Sequence, residues 1–253
     1  MPSSYRDGYT YDRISAPLER IGREVVERLR LRGDETVVDA GCGSGRVTEA
    51  LLARLPDGHV IGVDGSPEMI AAARTRLGSA AELLVQDLER LDLGGRRVDA
   101  LLSTATFHWI ADHERLFARL RAVLRDGGQL VAQCGGEGNT KELVAATLAA
   151  SAVEPFAAHL GGWAGPWSFV GVQETAERLR AAGFGTVRTW LVEKPAPFEP
   201  EHLREWLRTN ALTAHTARLP VELREPYIDA VADELGPDPR VSYVRLNIDA
   251  TAA

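Results

Sequence analysis

Three carboxylates and a histidine stand where an apolar run gives way to a turn. Asp39 precedes Gly41-Cys42-Gly43-Ser44-Gly45, Asp64 closes Val60-Ile61-Gly62-Val63, Asp87 follows Leu83-Leu84-Val85-Gln86, and His108 lies within Phe107-His108-Trp109. Glycine at 41, 43 and 45 leaves a main chain with no side chains in the way, so a ligand can rest against the backbone itself. The spacing is G-x-G-x-G; a dinucleotide fingerprint needs G-x-G-x-x-G, and the position it requires is Arg46. A carboxylate two residues before the first glycine repels a pyrophosphate and attracts an ammonium group. The pattern predicts a nucleoside carrying an amino acid and disfavours a nicotinamide oxidoreductase. Asp64 falls about twenty residues past the turn, where a doubly wound sheet places a carboxylate that accepts from both ribose hydroxyls.

D-A-G-C-G-S-G at 39–45, G-V-D-G-S-P-E-M-I at 62–70 and V-Q-D-L at 85–88, in that order, resemble the class I S-adenosylmethionine-dependent methyltransferases. The likeness is strong over 34–134 and looser over the rest. It implies S-adenosyl-L-methionine as cofactor and S-adenosyl-L-homocysteine as product. Gly41, Gly43 and Gly45 would cradle the methionine portion, and Asp39 would meet its ammonium directly or through water. Asp64 with Gly65 would hold the ribose, Asp87 would accept from the adenine amine beside the backbone of Leu88, and Met69 and Ser103 would complete the cofactor side. Two readings stay open at Asp87, adenine ligand or helix cap, and two at Met69, ligand contact or core. Y-D-R-I-S at 11–15, F-H-W-I-A-D-H at 107–113 and a late helical insertion resemble the trans-aconitate methyltransferase branch. That implies O-methylation of a small carboxylic acid. N- or C-methylation of a small natural-product intermediate, or a non-methylating protein on the same pocket, are the alternatives.

These residues need strands to deliver them and helices to cover the strands. Val37-Val38 predicts the first strand, followed by a helix opening at Arg46 with Val47, Ala50, Leu51 and Leu55 on its buried stripe. After the second strand, Ser66 suits an N-cap and Pro67 the first helical position, with Met69, Ile70, Ala73 and Leu77 on one face. Glu82–Gln86, Val98–Ser103 and Gln129–Cys134 read as strands three to five, and Asp112 caps the helix before the fifth. Right-handed crossovers turn that alternation into an α/β, doubly wound parallel sheet. The resemblance implies a Rossmann-like sheet of seven strands, order 3-2-1-4-5-7-6, with the last antiparallel. Thr186–Val192 and Val241–Ile248 supply the remaining two strands; in the latter, Ser242, Arg245 and Asn247 take the polar side of the alternation.

The whole chain, 1–253, thus reads as one methyltransferase domain. Residues 1–32 form an N-terminal loop and helix lid, 33–135 the cofactor-binding core, and 137–170 with 199–238 a helical cap over the acceptor pocket. On that side stand Tyr11, Phe107, His108, Trp109, Trp163 and Trp167, because aromatic residues on loops at a ligand face often line an apolar pocket. A carboxylate acceptor wants a cation or donors, and Arg208, Arg13, Tyr11 and Asn210 are the available suppliers, although both arginines also suit a solvated surface. His108 is the sole catalytic candidate. It either orients or deprotonates the acceptor, or bonds backbone and shapes its loop, and the second role is favoured since methylating a carboxylate needs no base.

Composition excludes several partners. A net charge of −7 argues against nucleic acid. No apolar run approaches the ~20 residues of a membrane span, and the amino terminus lacks the apolar core of a secretory signal. A cytoplasmic monomer or homodimer acting on a small molecule is expected. Cys42 and Cys134, without C-x-x-C spacing, read as small residues at strand ends and not as a disulfide or metal site.

Overall fold

The computed structural model describes residues 22–197 and 200–253. Seven strands form a single sheet in the order β3-β2-β1-β4-β5-β7-β6. They are β1 (Thr36–Ala40), β2 (His59–Asp64), β3 (Glu82–Val85), β4 (Val98–Thr104), β5 (Leu124–Gly135), β6 (Phe184–Pro197) and β7 (Arg240–Ala252). β1 to β5 run parallel, and β7 is antiparallel to both neighbours. The carboxyl ends of β1, β2 and β4 therefore lie side by side, which is where an open α/β sheet binds ligands.

Strand alternation divides the core in two. Val38 packs with Ile61, Leu101 and Leu130 on one face, under α3 (His113–Val123), which contributes Leu116, Phe117 and Leu120. Val37 packs on the other face with Val60, Leu102 and Val131, under α1 (Arg46–Leu52) and the helical segment at 22–26. Val25, Val26 and Leu29 are buried there, while the lid segment expected over 1–32 lies outside the described part up to residue 21. α2 (Pro67–Leu77) begins as expected: the Ser66 hydroxyl accepts from the Met69 amide at 3.2 Å with Pro67 next to the cap.

A third apolar cluster belongs to the cap. α4 (Lys141–Ser151), α6 (Pro200–Trp206), a π-helical stretch at Leu207–Ala211 and α7 (Val221–Leu235) bury Leu143, Trp206, Leu207, Leu212 and Tyr227 together. α5 (Val172–Ala181) lies against the sheet instead, through Leu179.

Three strands are longer than their patterns predict; β5, read from Gln129, begins at Leu124. β6 and β7 pair from Phe184↔Ala252 to Pro197↔Arg240, a ribbon running past the sheet toward the cap. Prolines at 195 and 197 hide the continuation of β6 in the sequence. An edge strand tolerates them because its outer row of amides has no ladder to feed.

Candidate active site

The glycine bend is built for closeness on two sides and openness on the third. Gly41, Gly43 and Gly45 have φ of +83°, +54° and +85°, a region that favours glycine. A Cβ at Gly41 would stand 2.1 Å from the Thr106 hydroxyl, and one at Gly45 would press on Leu77 of α2 at 2.9 Å. At Gly43 a Cβ would meet nothing within 4 Å. The first and third glycines thus let protein pack on the bend, and the middle one faces space.

Two carboxylates belong to the bend, one beneath it and one beside it. Asp39 is fully buried; its Oδ2 accepts from the Thr48 hydroxyl at 2.7 Å, and its Oδ1 has no hydrogen-bond partner among the described residues. Burial, with a smaller push from the negative charge of Asp64, raises its carboxyl to about 6. Asp64, half-buried, accepts the Gly43 amide on Oδ2 and the Ser66 amide on Oδ1, both at 2.9 Å, so it fixes the bend to the start of α2. Between them the Cys42 thiol is driven far up, first by burial and then by both carboxylates. The bend is a site of negative potential with a buried acceptor unmet, chemistry that suits a cation and opposes phosphate.

Farther along the carboxyl edge, Gly65 is exposed and open, and Asp87 is an exposed cap whose Oδ1 accepts from the Glu89 amide at 3.0 Å. Leu88 and Met69 are both buried, Leu88 in the core cluster beneath the sheet. Ser103 is buried too, and its hydroxyl donates to the Ala40 carbonyl at 2.7 Å, clamping β4 to β1 behind the bend.

The loop after β4 turns sharply at Ala105, whose φ of +53° strains a residue with a Cβ. Beyond it, His108 is buried and its Nδ1 accepts the Gly135 amide at 3.2 Å, so a neutral ring carries its proton on Nε2. Its ring stacks on Phe169 at 5.9 Å and tilts against Trp109 at 5.3 Å. Trp109 faces Trp167 at 6.2 Å, and Trp167 stacks on Phe169 at 6.0 Å. Trp163 joins through His215, 4.8 Å from it and 5.5 Å from Trp167. His108, Trp109, Trp163 and Trp167 therefore belong to one aromatic array reaching from the β4 edge into the cap.

Two expected pocket residues do not join it. Phe107 is 1% exposed and packs edge-on against Phe117 in the core, because the tight turn that presents His108 drives its neighbour inward. Arg208 is on the surface, gripped by both carboxylate oxygens of Glu225 at 2.8 and 2.5 Å. Tyr11, like Arg13, lies outside the described residues.

Sequence reasoning passed over Thr48, Thr106, Phe169, His215 and Arg245. Thr48 had a signal: it sits on the first turn of the helix that follows the bend, facing back to the strand end. His215 had none; surrounded by Trp163, Trp167 and Tyr227, it is held near 4 by burial and the nearby Arg218 charge, and so stays neutral. Arg245, read only as a polar position in the alternation of the last strand, is 4% exposed.

Comparison with known proteins identifies the family. Residues 37–128 match the model of a methyltransferase domain. The chain is 31% identical to trans-aconitate 2-methyltransferase of Variovorax paradoxus, over 86% of this chain and 84% of that one. It is 32% identical to malonyl-[acyl-carrier protein] O-methyltransferase of Geobacter sulfurreducens, over 82% and 78%. Among solved structures, Haemonchus contortus phosphoethanolamine N-methyltransferase 2, in complex with phosphomonomethylethanolamine and S-adenosylhomocysteine, shares the fold. Its TM-score is 0.62 at 16% identity, covering 97% of this chain and 57% of that one.

Proposed function

The chain belongs to the class I S-adenosylmethionine-dependent methyltransferases, in the branch that holds the trans-aconitate enzymes, and from that premise we propose that it methylates a carboxylate oxygen of a small organic acid. Two relatives named for O-methylation, one of them for trans-aconitate, support the acceptor class. The observation behind the cofactor's place is the open face of Gly43, whose amide is held by Asp64, on a bend that follows the strand ending in Asp39 with its unmet Oδ1.

When bound, the cofactor supplies a methyl carbon made electrophilic by its sulfonium. An acceptor carboxylate held in line with that carbon and its sulfur would need no more than alignment to take the methyl group, with the electron pair left on sulfur. No proton moves, so the chain's task is alignment and exclusion of water. Asp39 would receive the ammonium, the bend at 41–45 would lie along the amino-acid portion, Asp64 would take the ribose hydroxyls, and Asp87 the adenine amine. His108, bound through Nδ1 to Gly135, offers a donor at Nε2 and not a base. Trp109, Trp163 and Trp167 wall the acceptor side together with the cap.

Gly43→Ala isolates the openness of the bend. Holding alanine at φ +54° lowers stability by about 1 kcal/mol, with no clash in the protein. The new methyl occupies the space assigned to cofactor, so S-adenosylhomocysteine binding should weaken at least tenfold by calorimetry; undiminished binding would move the ligand off the bend. The reaction itself is read with methyl-deuterated S-adenosylmethionine and a panel of acids, amines and phenols, followed by mass spectrometry. A base-labile methyl ester on an acid is expected. Label appearing only on nitrogen or carbon, or on no acceptor, would refute the assignment.

A further inference from the structure

The motif at 107–113 closes on itself. Its last residue, His113, opens α3 and is 2% exposed, and its Nε2 lies 2.9 Å from the carbonyl oxygen of Phe107, the first. A carbonyl oxygen only accepts, so Nε2 carries the proton and donates. Nδ1 is then a bare acceptor, and it has no hydrogen-bond partner among the described residues. Burial lowers the pKa of the ring from the usual histidine range although the bond to Phe107 opposes it, so His113 is neutral at pH 7.

A buried nitrogen left unmet lowers stability. Leucine, of similar volume, would fill the same place against Phe117, whose ring stands 5.6 Å from the imidazole, without that cost. Packing alone therefore does not call for histidine. Nor does the Phe107 carbonyl depend on it, since the Ile110 amide already donates to that oxygen at 3.0 Å. What the second donor adds is direction. The Trp109 amide donates to the Thr106 carbonyl at 2.9 Å, the Ser168 amide to the His108 carbonyl at 2.9 Å, and the Gly135 amide to His108 Nδ1 at 3.2 Å. Those bonds tie the turn to itself, to the cap and to the end of β5, and the bond from His113 ties it to α3 and the core beneath.

Resting on the reading that this edge of the sheet faces the acceptor of methyl transfer, we propose that His113 is a positioning residue for that reaction: by holding the Phe107 carbonyl from below, it sets where His108 and Trp109 meet the acceptor. The planar peptide of Phe107 leads directly into His108, so a rotation of that carbonyl turns the next residue with it. A displacement of about 1 Å in a group that aligns a substrate can cost a hundredfold in rate. The unmet Nδ1 is the stability lost in fixing that geometry.

Two variants separate the donor from the ring. His113→Leu keeps the volume and removes the donor, whereas His113→Gln places an amide nitrogen where the imidazole Nε2 stood. Both should bind S-adenosylhomocysteine within twofold of wild type by calorimetry. His113→Leu should lower kcat for methylation of trans-aconitate at least tenfold while the KM for S-adenosylmethionine stays within twofold, and His113→Gln should return kcat to within threefold of wild type. In NMR spectra of isotope-labelled histidine, the His108 ring signals should move in His113→Leu and return in His113→Gln, a pattern that lost packing would not give. A leucine variant with wild-type kcat or unmoved His108 signals overturns the proposal, and so does a glutamine variant that behaves as leucine does. Should leucine prevent folding, seen as loss of S-adenosylhomocysteine binding, His113→Asn takes its place, its amide a methylene too short for the carbonyl. If wild-type protein forms no ester on trans-aconitate or any other acid, the reaction assignment falls, and the His108 signals decide this inference by the same two outcomes. Ester formed at wild-type rates by every variant keeps the reaction and removes His113 from it.

Discussion

Asp64→Ala is expected to weaken S-adenosylhomocysteine binding at least a hundredfold while leaving a folded protein. The carboxylate offers charge-assisted hydrogen bonds to two ribose hydroxyls, worth about 1.5–3 kcal/mol each, so losing both accounts for two decades of affinity or more. It also accepts the amides of Gly43 and Ser66, and without it the bend loses its tie to α2 before any ligand arrives. Asp64 is half-buried at a strand end, so water replaces it on those amides and the cost to the fold is modest. Asp64→Asn retains one acceptor oxygen and should fall between the two. Calorimetry checks the order wild type, asparagine, alanine; equal affinities would remove Asp64 from the site.

Asp39→Asn should produce effects of opposite sign on folding and binding. Burial lifts the group to about 6 in the folded chain, well above the ordinary range of an aspartate. A carboxyl whose pKa is raised by folding stabilises the fold fully below its unfolded pKa, and that contribution is lost as pH rises through the folded pKa. That elevation corresponds to about 3 kcal/mol, which the neutral asparagine escapes while still accepting from Thr48. Unliganded Asp39→Asn should therefore match wild type near pH 4 and exceed its stability at pH 7. Its affinity for S-adenosylhomocysteine should be at least tenfold lower at pH 7 and nearly flat from pH 5 to 7, where that of wild type climbs as the carboxylate forms to meet the ammonium. Urea unfolding and calorimetry at the three pH values check both arms. A variant that is less stable at pH 7 and binds as wild type does would show Asp39 to be structural only.

Those two residues were legible because their signals are local. Val37-Val38 and Val60 to Val63 are β-branched runs that stop at an acid, and the glycines follow within a few residues, so strand, bend and helix are specified by neighbours in the chain. The strand order too matches what the motifs imply. The acceptor side was less legible because its partners are distant. Arg245 takes the polar side of the alternation, but its face of β7 is covered by a segment more than two hundred residues earlier, with Arg28 bonding Asn247 across 219 positions. Phe107 shares a motif with His108, and only the geometry of a tight turn sends one ring to the core and the other to the edge. Arg208 is held by Glu225, a pairing between separate helices that no spacing rule on one helix exposes. The reach of β6 and β7 was hidden for the same reason, since each is the other's partner.

One structure would test the central claim directly: the protein crystallised with S-adenosylhomocysteine. The account predicts the amino-acid end along Gly41 to Gly45 with its ammonium next to Asp39, and both ribose hydroxyls on the Asp64 carboxylate. A nucleoside bound elsewhere, with neither carboxylate touching it, would contradict the account.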